Sequence, residues 1–185
     1  MADDGKLTKT IEDRKGRAFG FSNQINAILK EVPLGKYKVQ MGLHLRQAML
    51  LNGILFNSEA WHCLTDNHIE QLQIIDNQLL RKICNAHSKT STAFLHLETG
   101  TMPLKYVITS RRLNFLKEIL SRKNSDLIYH IFAVQYENPL KGDFVKLIED
   151  NFKLINEKFD MKFIKGMSKK KFKKSVKGKV RKSSL

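Results

Sequence analysis

Apolar residues recur along this chain at intervals of three and four, the period of an amphipathic helix rather than the alternation of a strand. Residues 8–31 read as a polar helix that stops near Val32, because Pro33 disfavours the α region for the residue before it. A second helix, 36–56, places Leu43, Leu50, Leu51 and Ile54 on one side. Thr65 and Asp66 offer an N-cap and a first-turn acid. Behind them Ile69, Leu72, Ile75, Leu79 and Ile83 form one strongly apolar face. Ser91 is placed to cap a short helix, 92–98, that Gly100 ends, and Pro103 stands where a first helical position is expected.

From Leu104 the positions Ile108, Phe115, Leu116, Ile119 and Leu120 define a long helix to about Arg122. Leu127, Ile128, Ile131, Phe132 and Val134 continue as another until Asn138-Pro139, and Phe144, Leu147, Ile148 and Ile155 make a last amphipathic one. No period-2 alternation and no hairpin dipeptide separates these runs. The pattern predicts an all-α fold, a multi-helix bundle of about six helices with a basic, disordered C-terminal tail.

Composition sharpens the organisation. The length of 185 residues suits one compact domain plus a tail. The expected layout is a leader over 1–7, a helical domain over 8–160 and a Lys-rich tail over 161–185. Of the 33 lysines and arginines, eleven fall in 162–185 with none of the 18 acids, so the net +15 drops to +4 without that segment. The excess charge is local and points to a polyanionic partner, with nucleic acid first and nuclear import as the plainer reading. Phe172, Val176 and Val180 stand at i, i+4 and i+8 among these lysines, a basic amphipathic pattern weakened by Gly166 and Gly178. Self-repulsion predicts that the tail stays disordered without a partner.

No apolar run reaches the roughly 18 residues that cross a bilayer, and the first 20 residues lack the apolar core of a signal peptide. A nuclear or cytoplasmic setting is expected, with no membrane partner. Cys63 and Cys84 are too few for a disulfide framework and fit a reduced compartment.

Chemistry is sparse. His62, Cys63, His68, Cys84 and His87 are zinc-ligand types, but the helix between the two groups is about 25 Å long, so they cannot share one ion. There is no nucleophile elbow, no phosphate loop and no His-Glu-x-x-His. The Ala2-Asp3-Asp4 of the opening MADDGK resembles the metal hairpin of reverse transcriptases. Two-metal polymerisation, however, needs a further carboxylate from another strand, and charged residues follow where the apolar half of a hairpin belongs. Cations are better represented. Lys36, Lys38 and Arg46 stand along the second helix, Lys105, Arg111 and Arg112 along the long one, with Lys105 and Arg112 seven apart and therefore on one face. Lys169, Lys170, Lys171, Lys173 and Lys174 complete the set expected to meet phosphates.

Several ordered stretches resemble one family. They are Asp4-Gly5-Lys6, then Ile11-Glu12-Asp13-Arg14-Lys15-Gly16-Arg17-Ala18 and Asn52-Gly53-Ile54-Leu55-Phe56-Asn57-Ser58-Glu59-Ala60-Trp61. After these come Leu79-Leu80-Arg81-Lys82-Ile83, Leu97-Glu98-Thr99-Gly100 with Pro103, and Arg111-Arg112-Leu113-Asn114-Phe115-Leu116. Over residues 4–160 they look like the thumb, and the helical region after it, of LINE-type (non-LTR) retrotransposon reverse transcriptases.

The resemblance implies a helical module that grips the template-product duplex beside the palm. It implies no catalysis, no metal ligand and no cofactor in this chain, because the aspartates and the magnesium of the parent polymerase belong to the palm. It places Asp4-Gly5 in the turn after the palm, makes Met1 an internal methionine serving as a start, and implies a chain truncated at both ends. RNA or an RNA/DNA duplex is the expected partner, with a palm domain second. Phe19, Phe21 and Trp61 are expected to lie exposed for that palm contact. Three other readings stand beside it: a helical protein-interaction module with a nuclear-import tail, a degenerate copy without selected function, and residual polymerase activity.

Overall fold

Helical periodicity becomes helices throughout. The computed structural model describes residues 4–61 and 64–184, with side chains from Thr8 onward, and among them every regular element is helical. The chain divides into two compact units, one of Met1–Phe56 with Cys63–Leu104, the other of Asn57–His62 with Lys105–Leu185. Residues 161–185, expected as a separate tail, belong to the second.

In the first unit α1 (Asp4–Lys30) packs along α4 (Asp66–Ile83). Ile11, Ala18, Ile25 and Leu29 form the buried stripe of α1, and α4 buries Leu72, Ile75, Leu79, Leu80 and Ile83. These heptad-like spacings keep one stripe inward over several turns. Asp4-Gly5-Lys6 already lies in the first turn of α1, so the expected leader turn is helix from Asp4 onward. Residues 1–3, which hold the rest of the Ala-Asp-Asp motif, lie outside the described residues, as do His62 and Cys63.

The second predicted helix is interrupted. It forms α2 (Lys36–Leu45), a π-helical turn (Arg46–Leu51) and α3 (Asn52–Ile54). The widened turn begins at Arg46, whose guanidinium points inward to a buried carboxylate, and it delivers Leu50, Leu51 and Ile54 to the core. Arg14 of α1 closes the end of this segment, its Nη1 donating to the carbonyls of Gly53 (3.3 Å) and Ile54 (2.8 Å).

Local punctuation follows the sequence closely. Thr65 caps α4, its Oγ1 accepting from His68 N–H at 3.2 Å while the Thr65 N–H donates to His68 Nδ1 at 3.4 Å. The helix α5 (Thr92–Thr99) ends at Gly100, which takes the left-handed φ of 62° that favours glycine. Ser91 precedes α5 without a side-chain cap bond, contrary to expectation. Ser91 is exposed to solvent.

In the second unit α6 (Leu104–Leu120) is the buried axis, with Ile108, Leu113, Leu116, Ile119 and Leu120 inside. Next comes α7 (Leu127–Glu137), started by Asp126, whose carboxylate accepts from Ile128 N–H at 3.0 Å. The face of α8 (Phe144–Leu154) buries Val145, Ile148 and Phe152. Thr109 Oγ1 donates to Asn151 Oδ1 at 2.9 Å, joining α6 to α8. A cluster of edge-on rings, Phe115 on Phe144 (5.7 Å) and Phe132 on Phe144 (6.3 Å), fills the space beside α7. Short α9 (Met161–Gly166) and long α10 (Lys169–Ser183) complete the unit.

The segment expected to be disordered is therefore ordered helix. Phe172, Val176 and Val180 are no more than 4% exposed, and Ile164 of α9 is 3% exposed. Burial of three apolar side chains, worth roughly 1.5–3 kcal/mol each, outweighs the repulsion among lysines that stay on the solvent side.

Candidate nucleic-acid interface

The strongest concentration of exposed charge lies on α10. Ser168 starts the helix, its Oγ accepting from Lys171 N–H at 3.3 Å. The 4-residue recurrence of Phe172, Val176 and Val180 then locks one face inward, so every cation between them is pushed to the other faces. Lys170, Lys174, Lys177 and Arg181 follow at steps of four, three and four residues and form a row about 16 Å long. Among the described residues none of these four is in an ion pair, and all are exposed. Lys169, Lys171 and Lys182 widen the row on either side.

Two flanking lysines are partly neutralised from within. Lys179 Nζ lies 2.6 Å from Glu157, and Lys173 lies 3.9 Å from Glu118 of α6. These pairs lie beside the central row and involve none of its four cations. Beneath it, buried Lys117 donates from Nζ to the carbonyls of Ile164 (2.8 Å) and Lys165 (3.1 Å), capping the end of α9. Burial lowers the Lys117 ammonium below its ordinary range, and the nearby charge of Lys169 lowers it further.

The other expected contacts fare differently. Lys36 is exposed at the start of α2, and Lys38, two residues on, is half-buried, both in the first unit. Arg46 is 3% exposed and bound to Asp76, so it presents no charge to a partner. Arg112 is 6% exposed and donates from Nη2 to the carbonyl of Trp61. Burial pushes its guanidinium down to about 10, which still leaves a cation at neutral pH. The shared face expected for Lys105 and Arg112 is therefore the inner side of α6 at Arg112. Lys105 and Arg111 are half-buried and each already has an interaction within the chain. Trp61, expected at the surface, is 8% exposed, and its carbonyl accepts from Arg112 of α6. Phe19 does lie exposed, at 49%.

Sequence reasoning singled out Lys169, Lys170, Lys171, Lys173 and Lys174 but stopped short of Lys177 and Arg181, which extend the same row. The i, i+3, i+4, i+7 spacing from Lys170 carries that signal. Among the described residues no group of three histidine, cysteine or acidic side chains is gathered as a metal site, and no helix is long and apolar enough to cross a membrane. Compared with known proteins, the chain matches no family model, no curated protein and no solved structure.

Proposed function

We propose that this chain is a non-catalytic helical module that grips RNA or an RNA/DNA duplex by its phosphates, of the kind a LINE-type reverse-transcriptase thumb provides. One observation carries the reading: a row of exposed, unpaired cations held rigidly on α10 by its buried apolar face. Duplex nucleic acid carries one negative charge per about 1.7 Å of axis, so a 16 Å cationic row meets several phosphates at once without reading bases. The ordered resemblance over residues 4–160 supports the thumb assignment, and a palm domain is the second partner it implies. Its matched residues serve the architecture: Arg14 closes α3, Gly53 admits Phe21, and Arg112 holds Trp61. The gripping face itself lies beyond that span, in α10.

Titration of labelled RNA and RNA/DNA duplexes at several salt concentrations tests it. Affinity should fall steeply with salt, and the Lys170→Gln/Lys174→Gln/Lys177→Gln/Arg181→Gln variant should lose about 3–4 units of the log-log slope. No binding at low salt, or a variant with the wild-type slope, overturns the proposal.

The competing reading, a protein-interaction module, is favoured by α7, which exposes Leu127 (72%), Ile131 (51%) and Val134 (62%) along one side. These i, i+4, i+7 positions match the anchors of a helix-in-groove contact. Under that reading the four-cation variant leaves partner binding intact and α10 serves only import.

A further inference from the structure

In the first unit an open cavity of about 530 Å³ is lined by Asn23, Asn26, Lys30, Lys38, Lys82 and Asn85. Three elements build it. Asn23, Asn26 and Lys30 stand at i, i+3 and i+7 and share one face of α1. Lys38 comes from α2. Lys82 and Asn85 come from the end of α4, where Asn85 adopts a left-handed φ of 49° and its N–H donates to the Lys82 carbonyl at 3.2 Å. The Ala86 N–H reaches back to the Arg81 carbonyl at 2.8 Å, so the turn that presents Asn85 is closed on the helix end.

Its polar groups are ammonium and carboxamide groups, with the apolar side chains of Ala27 and Leu29 between them. No carboxylate lines the cavity, and among the described residues none of these three ammonium and three carboxamide groups is in a hydrogen bond or ion pair. Lys30 and Lys82 each occupy the last turn of a helix. The two helix ends together contribute about one negative charge, which leaves roughly +2 from the three lysines. A phosphate monoester carries about −1.5 to −2 at neutral pH. The volume lies in the range of about 300–1,000 Å³ usual for small-molecule sites and exceeds what an inorganic anion needs. Carboxamides offer the paired donor and acceptor that match a base edge, as Asn does with adenine N6 and N7.

We infer that this cavity holds one nucleoside phosphate, its phosphate on Lys30, Lys38 and Lys82 and its base or sugar edge on the three asparagines. A free nucleotide and one residue of an RNA strand present the same chemistry. The site is separate from the α10 row and differs from it in kind, because it touches a base where α10 touches only phosphates.

Side-chain amide resonances of Asn23, Asn26 and Asn85 in the full ¹⁵N-labelled chain report it directly. They are followed against AMP, an oligoadenylate ten-mer and inorganic phosphate. AMP and the ten-mer should both shift all three, and the Lys30→Gln/Lys38→Gln/Lys82→Gln variant should weaken the apparent affinity at least tenfold. Lys38→Gln alone, expected to weaken it about fivefold, gives the same reading if the triple variant does not fold. Saturation by AMP at the lower nucleotide concentration assigns the site to free nucleotides, and the reverse order assigns it to a strand. No shift with either, inorganic phosphate reproducing the shifts, or a lysine variant binding as wild type overturns the inference. The α10 variant should leave these resonances responsive, so loss of duplex grip and failure of this site are read separately.

Discussion

Arg46 and Asp76 face each other inside the first unit through two parallel hydrogen bonds, Nε to Oδ1 and Nη2 to Oδ2, each 2.6 Å. With 3% and 0% exposure, the pair is a fork-to-fork ion pair cut off from water. Removing one partner strands the other as a buried charge. Asp76→Ala or Arg46→Ala should therefore cost about 3–5 kcal/mol, whereas Arg46→Met with Asp76→Leu should recover most of that loss. Urea unfolding of the three variants checks the non-additivity.

Two glycines in helices should respond to alanine with opposite signs. A Cβ at Gly42 of α2 would lie 2.8 Å from Ile83 Cγ2 and 2.9 Å from its Cγ1, which locks α2 close to α4. At Gly16 of α1 a Cβ meets nothing within 4 Å. Gly16→Ala should stabilise by about 0.5–1 kcal/mol through helix propensity. Gly42→Ala should destabilise by about 1–3 kcal/mol, because overpacking exceeds that propensity gain. Thermal melts of the single variants decide it.

Because α10 packs into the second unit, its apolar face is worth measurable stability. Phe172→Ala should cost about 3–5 kcal/mol, far more than any lysine substitution on the opposite side. Deleting residues 162–185 also strips Lys117 of the Ile164 and Lys165 carbonyls that hold its ammonium. Amide exchange across α6 and α8 should accelerate in that deletion, while a disordered tail would leave it unchanged.

His96 gives the first unit a defined pH response. It is 5% exposed and shares a hydrogen bond with Thr101 Oγ1 at 2.8 Å. Burial holds its imidazole below the ordinary 6.5, opposed by the charge of Asp76 and reinforced by that of Arg46. Below pH 6.5 the unfolded chain binds a proton that the folded chain resists, so stability is full above about pH 7 and falls as the pH drops. The slope should approach but not exceed about 1.4 kcal/mol per pH unit and flatten in His96→Gln, as unfolding between pH 7 and 5 will show.

Much of the helical scaffold was legible from spacing. The apolar face of α4, the Thr65 cap and the stop at Gly100 all depend on neighbours within a turn or two, where helix geometry leaves little choice. The exposed cations were legible only in part. The tail lysines stand exposed in α10, but Arg46 and Arg112 look like surface cations in sequence and are buried, because Asp76 lies 30 residues from Arg46 and Trp61 lies 51 from Arg112.

Periodicity assigns helix, and the clustering of eleven cations after residue 161 assigns charge, since both are properties of adjacent residues. Whether α10 is ordered, which cations turn inward, and how Asn23, Lys38 and Lys82 come to line one cavity are tertiary outcomes. Each depends on an apolar hollow, a carboxylate or a neighbouring helix supplied from far along the chain, and local spacing carries no record of that partner.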